Sequence, residues 1–203
     1  MQNKILNKNL IYLIVFSFLA SCSSVPKYPQ NACKIFSEKY FYLKYTRAAS
    51  KKWEVPISTI LAVISKESGY KRFARPPRHK IFKIIPYRRP SSSLGFSQAV
   101  VKTFSLYKKE NNKPLALRIS YKTSSDFVGW FFWKTNKINK VSLNDTRNLY
   151  LNYYLGWTAY KNKAYRTNKK AIILAKNVEK QAKIYKSQLR ECKSILNKSY
   201  IIF

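Results

Sequence analysis

Eight carboxylates stand in a chain of 203 residues: Glu38, Glu54, Glu67, Glu110, Asp126, Asp145, Glu179 and Glu191. So few acids leave little choice for carboxyl chemistry. Glu38, Glu54, Glu110, Glu179 and Glu191 lie in strongly polar surroundings and read as solvated. Asp145 suits a helix cap, and Asp126, at the edge of an apolar run, suits a cap or a structural partner. Glu67 differs. Ile57, Ile60, Leu61 and Ile64 recur at the i, i+3, i+4, i+7 spacing of one helix face, and the stripe continued reaches Glu67 and Ser68. A carboxyl therefore stands where another buried apolar side chain is due, in the last turn before Gly69, a plausible helix stop. Burial and the negative end of the helix dipole both disfavour the ionised form and raise its pKa. A carboxyl protonated near neutral pH is what a general acid needs. The alternative is a terminal glutamate that points to solvent.

The elements that must position Glu67 are mostly helical. Cys33 to Trp53 reads as a helix, broken at Val55-Pro56, with Pro56 suited to the first turn of the Ile57 helix. Arg75 to Ser93 holds four prolines, Pro76, Pro77, Pro86 and Pro90, a density that excludes a regular helix and predicts a long loop. That loop also carries Arg75, Arg78, His79, Lys80, Lys83, Arg88 and Arg89. Leu94 to Gln98 leads into a helix through Tyr107, and Asp126 to Trp133 is a strongly apolar run favouring helix over strand. Asp145 caps a helix from Thr146 to Tyr154, Gly156 to Tyr160 follows as a turn, and Lys169 to Leu189 is the last helix. No repeat and no alternating strand pattern is present. The fold expected is mainly α, with room for a small β-hairpin in the Pro-rich loop.

The 40 Lys and Arg residues give a formal charge of +32, a balance that suggests nucleic acid, an anionic membrane surface or an acidic polymer. The charge is spread along the chain, and the start of the chain argues against nucleic acid. Lys4 and Lys8 precede an apolar core from Leu10 to Ala20, too short to span a bilayer and typical of an export signal. It ends Leu19-Ala20-Ser21-Cys22, which resembles the bacterial lipobox and implies lipidation of Cys22, a plain secretory signal being the alternative. The expected organisation is a signal peptide over 1–21, a tether over 22–33, one domain over 34–192 and a tail over 193–203. Export to an oxidising compartment makes the remaining Cys33 and Cys192 a candidate disulfide, two buried thiols being the alternative. One histidine and no nearby Cys or acidic cluster give no metal site, and no cofactor is expected.

Three pieces stand in order: Glu67-Ser68, Gly95-Phe96-Ser97-Gln98 and Tyr153-Tyr154-Leu155-Gly156. Together they resemble the lytic transglycosylase family with the lysozyme-like SLT domain. That family carries a helix ending in Glu-Ser, a Gly-x-x-Gln turn and a later Ala-Tyr-Asn-x-Gly-like element. The Ala74-Arg75-Pro76-Pro77-Arg78 stretch and the Asp126-Phe127-x-Gly129-Trp130 segment look like a lipoprotein branch of it. The resemblance implies cleavage of the bond between N-acetylmuramic acid and N-acetylglucosamine in peptidoglycan glycan strands. It implies Glu67 as catalytic acid, Ser68, Gly95, Gln98, Tyr153 and Tyr154 as substrate-binding positions, and attachment to a membrane of the bacterial envelope, facing the periplasm, through Cys22. A hydrolytic muramidase and a catalytically weak wall-binding lipoprotein are the other readings. Two departures stand in the third piece, where Tyr154 replaces the family's Asn and Asn152 its small residue. The clustered arginines of the Pro-rich loop suggest binding of stem-peptide carboxylates.

Overall fold

The protein is described by a computed structural model covering residues 25–193 apart from residue 83. The signal peptide expected over 1–21, Cys22 and nearly all of the tail expected over 193–203 therefore lie outside the described residues. The run expected as one helix from Cys33 to Trp53 is two, α1 (Ala32–Glu38) and α2 (Tyr40–Trp53), because Lys39 leaves helical geometry at φ −121 and ψ 70. Then come α3 (Ile57–Ser68), the strands β1 (Lys80–Ile81) and β2 (Ile85–Pro86), α4 (Val101–Glu110) and α5 (Tyr121–Asn139). The chain continues with α6 (Thr146–Leu155), α7 (Trp157–Lys161), a 3-10 turn (Ala164–Arg166) and α8 (Lys169–Glu191). The expected turn over Gly156 to Tyr160 is thus a short helix entered through Gly156, whose φ of 88 few side-chain-bearing residues adopt. The architecture is mainly α with one antiparallel hairpin.

The stripe read on α3 understates its burial. Every residue from Ser58 to Ile64 is buried, so the helix is wrapped on all faces, and α8, α5 and α2 are what wrap it. Pro56 sits one residue before the helix, its carbonyl accepting from Thr59 and Ile60 at 3.0 and 3.2 Å. The buried Thr59 hydroxyl of this helix is paired in a 2.8 Å bond with Thr146 of α6, and that of Ser68 with the Ile64 carbonyl at 3.1 Å. Truncating one of its core side chains, Leu61→Ala for example, would cost about 2–5 kcal/mol.

Around this axis the core is aromatic. Tyr42 of α2 stacks on Tyr121 of α5 with ring centroids 3.6 Å apart, and Phe96 meets both edge-on. On α5, Gly129 admits Trp53, since a Cβ there would lie 2.5 Å from the indole Cδ1. The Trp53 indole NH donates to Asp126 at 2.9 Å, and Tyr107 donates to the same carboxylate at 2.5 Å. A disulfide joins Cys33 in α1 to Cys192 after α8, closing a separation of 159 residues. Residues 29–33, expected as the far end of a tether, are fastened to the domain: Tyr185 donates to the Pro29 carbonyl, and Gln188 accepts from the Ala32 amide at 2.9 Å.

Candidate active site

The unbroken buried run of α3 ends at Ile64, and in the last turn Ser65 and Glu67 are half-buried, Lys66 is exposed and Ser68 is buried. Gly69, with φ 55, caps the helix and returns its amide to the Ser65 carbonyl at 2.9 Å, the stop read in the sequence. Glu67 in that turn is half-buried as a residue, while its carboxyl is packed round on nearly all sides. Burial pushes its pKa up to about 7, against the smaller opposing effects of a hydrogen bond from Tyr150 and the charge of Lys66. At neutral pH roughly half of such carboxyls carry a proton. Glu67 can therefore both give and take one.

The partner that holds it comes from α6. Asp145 caps this helix as expected, accepting from the Asn148 amide at 3.0 Å. Tyr150, Tyr153 and Tyr154 follow at i, i+3 and i+4, so their rings share one face and stack, the Tyr150 ring lying 6.3 and 6.4 Å from the other two. The Tyr150 hydroxyl donates to Glu67 Oε1 at 2.7 Å. Tyr153 donates to the Ser97 carbonyl at 2.5 Å, tying α6 to the Gly95 turn. Tyr154 is 40% exposed and covers the outer side of Tyr150. Tyr150 did not figure among the candidates of the sequence reading. The signal was present in the helix expected over Thr146 to Tyr154, which puts residue 150 on the face of 153 and 154.

The turn from Gly95 to Gln98 is closed by a bridge between Leu94 and Ala99. Gly95 has φ 79, and a Cβ there would lie 2.0 Å from the Arg118 carbonyl oxygen. The close approach that requires glycine is thus to the protein's own backbone. Gln98 donates from its Nε2 to the carbonyls of Ala74 and Gly95, both at 2.8 Å, and the Gly95 amide also bonds to Ala74 at 2.9 Å. Its amide nitrogen staples the turn to the entrance of the Pro-rich loop and makes no bond to Glu67. Ser68 is buried, with its hydroxyl turned back onto the Ile64 carbonyl at 3.1 Å. The structure therefore brings Glu67, Tyr150, Tyr153 and Tyr154 together, with the Gly95 turn behind Tyr153.

Asp126 belongs to a different arrangement. Burial acts to raise its pKa, but hydrogen bonds from Lys113, Tyr107 and Trp53 outweigh that and hold it below the usual carboxylate range. An acid kept ionised is a structural anchor for α2, α4 and α5. It lines a cavity of about 480 Å³ with Tyr45, Lys52, Tyr107, Lys113 and Leu115, apart from Glu67. Among the described residues no three His, Cys, Asp or Glu side chains gather as a metal site.

A family model described as Transglycosylase SLT domain matches residues 10–192. Comparison with curated proteins finds no match.

Proposed function

The chain belongs to the transglycosylase SLT domain family, one of lytic-transglycosylase-type degradation of peptidoglycan, and on that premise we propose that Glu67 is its single acid and base. The observation that carries this is the Glu67 carboxyl, with a pKa near 7 and an oriented hydrogen bond from Tyr150. Ordinary glycosidases set two carboxyls across the scissile bond. Here one suffices. Protonated Glu67 gives its proton to the bridging oxygen as the bond from C1 of N-acetylmuramic acid to that oxygen breaks. The Glu67 carboxylate then takes the proton of the same sugar's 6-hydroxyl, whose oxygen closes on C1. A 1,6-anhydro ring forms, no water is added, and Glu67 ends protonated as it began. Tyr150 donates to the carboxylate at the moment it is charged, which orients Oε1 and limits the cost of ionising a buried group.

The same residues would serve a muramidase if water replaced the 6-hydroxyl, and Tyr154 in place of the family's Asn keeps a weak wall-binding protein as the other reading. Mass spectrometry of digested sacculi separates the three. Products lighter by one water than hydrolytic ones, lost in Glu67→Gln, support the transglycosylase. Water-added products point to the muramidase, and bound sacculi without soluble muropeptides to the binder.

We place the protein at the bacterial envelope, facing the periplasm and held to a membrane through lipidated Cys22. The Cys33–Cys192 disulfide supports an oxidising compartment. No described helix is long and apolar enough to cross a membrane.

A further inference from the structure

Among the described residues, nothing covers the hairpin between Glu67 and the Gly95 turn. Every described residue from Pro77 to Arg88 is exposed. β1 and β2 pair Lys80 with Pro86 and Ile81 with Ile85, and the ladder extends through the Tyr87 amide to His79 and the His79 amide to Arg88. At the free end Phe82 is 86% exposed, Ile84 78% and Ile85 58%, beside Ile81 and Tyr87. An isolated two-stranded hairpin is marginal in water, and a contiguous exposed apolar patch marks a contact surface. Behind this tip Arg75, Arg78, Lys80 and Arg88 are all exposed. The chain has no Asp or Glu between Glu67 and Glu110, so no acid in that segment offsets them. The element is an apolar tip on a cationic collar.

We propose that this hairpin docks onto an anionic phospholipid bilayer, Phe82, Ile84 and Ile85 entering the interfacial layer while Arg75, Arg78, Lys80 and Arg88 meet headgroup phosphates. Wall peptides offer carboxylates for the collar but nothing to cover Phe82 and Ile84. A bilayer surface satisfies both halves, and the segregation of apolar and basic side chains is that of interfacial membrane elements. The hairpin springs from the loop that Gly95 and Gln98 fasten at Ala74, so docking would also fix how the domain that carries Glu67 sits on the membrane. The contact needs neither Glu67 nor a lipid on Cys22.

The test uses the full chain with Cys22→Ser, so that a thiol introduced by Phe82→Cys is free for an environment-sensitive dye while Cys33 and Cys192 remain paired. The comparison position is Ile173→Cys, exposed on α8. Phosphatidylcholine vesicles with about one third phosphatidylglycerol should shift the emission at position 82 to the blue, with quenching by lipid-borne quenchers. The dye at 173 should not respond, nor either dye to pure phosphatidylcholine. Adding Ile84→Ser should raise the half-maximal lipid concentration about tenfold, and Arg78→Ser with Arg88→Ser by roughly fivefold per cation. A dye at 82 that stays water-exposed while the protein rides on the vesicles overturns the proposal. So does one that responds to purified sacculi and not to vesicles, which would assign the collar to wall carboxylates.

Discussion

The hydroxyl of Tyr150 reaches Glu67 Oε1 at 2.7 Å across 83 residues of chain, joining the end of α3 to the middle of α6. This bond favours the carboxylate and opposes the burial that pushes the Glu67 pKa up to about 7. Its loss should raise that pKa further. If protonated Glu67 is the acid, activity falls as pH rises through its pKa. Tyr150→Phe should therefore move the alkaline limb of kcat/KM upward by about half to one pH unit, while lowering the maximum about tenfold or more. A role in packing alone would lower activity without moving the limb.

Glu67→Gln tests the same group through stability. The folded pKa lies above the unfolded value, so between about pH 4.5 and 7 the folded state binds more protons. The stability this raised pKa favours is present in full below pH 4.5 and lost as pH rises through 7. Glutamine has no such penalty. The variant should lose at least about 10²-fold in activity, and at pH 8.5 it should be more stable than the wild type by about 1–3 kcal/mol, with little difference at pH 4. Thermal or urea unfolding at the two pH values gives the comparison.

Much of this site was legible before any coordinates. Glu67 in the last turn of a helix, Gly69 as its stop and Asp145 as the cap of α6 follow from local rules, and the structure has all three. The hairpin in the Pro-rich loop was anticipated as well. The misses came from tertiary context. A single stripe on α3 could not tell that Ser58, Thr59, Ala62 and Val63 would be buried too, because three other helices surround it. Gln98 and Ser68 came from motif matching, and the hydrogen bonds they make to Ala74, Gly95 and Ile64 depend on the folded geometry, which a motif does not spell out. Tyr150 lay outside the motif, and its helical spacing was the only pointer.

Gly95 separates a scaffold role from a substrate role. Its Cβ would overlap the Arg118 carbonyl, and its φ of 79 already disfavours any side chain. Gly95→Ala should cost about 3 kcal/mol or more in urea unfolding, from clash and backbone strain together. Gly69→Ala meets open space at φ 55 and should cost only about 1 kcal/mol. Equal costs at the two positions would contradict the crowding at Arg118.

The disulfide carries its own expectation. It ties α1 to the end of α8, a separation of 159 residues, and confines the unfolded chain over most of the domain. Cys33→Ser with Cys192→Ser should lower stability by about 2–5 kcal/mol. Reduction of the wild type should lower it by a similar amount, measurable as the difference in urea midpoint with and without reductant.

Tyr154 lies one turn beyond Tyr150 on α6, and its ring is 40% exposed and stacks on Tyr150. An exposed aromatic face against the tyrosine that holds Glu67 suits stacking on a sugar ring, with the proton chemistry left to Glu67 and Tyr150. A contact that binds ground state and transition state alike changes KM and leaves kcat. Tyr154→Phe keeps the face and should leave both within about twofold, while Tyr154→Ala should raise KM about three- to tenfold with kcat nearly unchanged. Steady-state release of soluble muropeptides from sacculi measures both constants. A fall in kcat at constant KM in Tyr154→Ala would place this phenol among the groups that act on the reacting atoms.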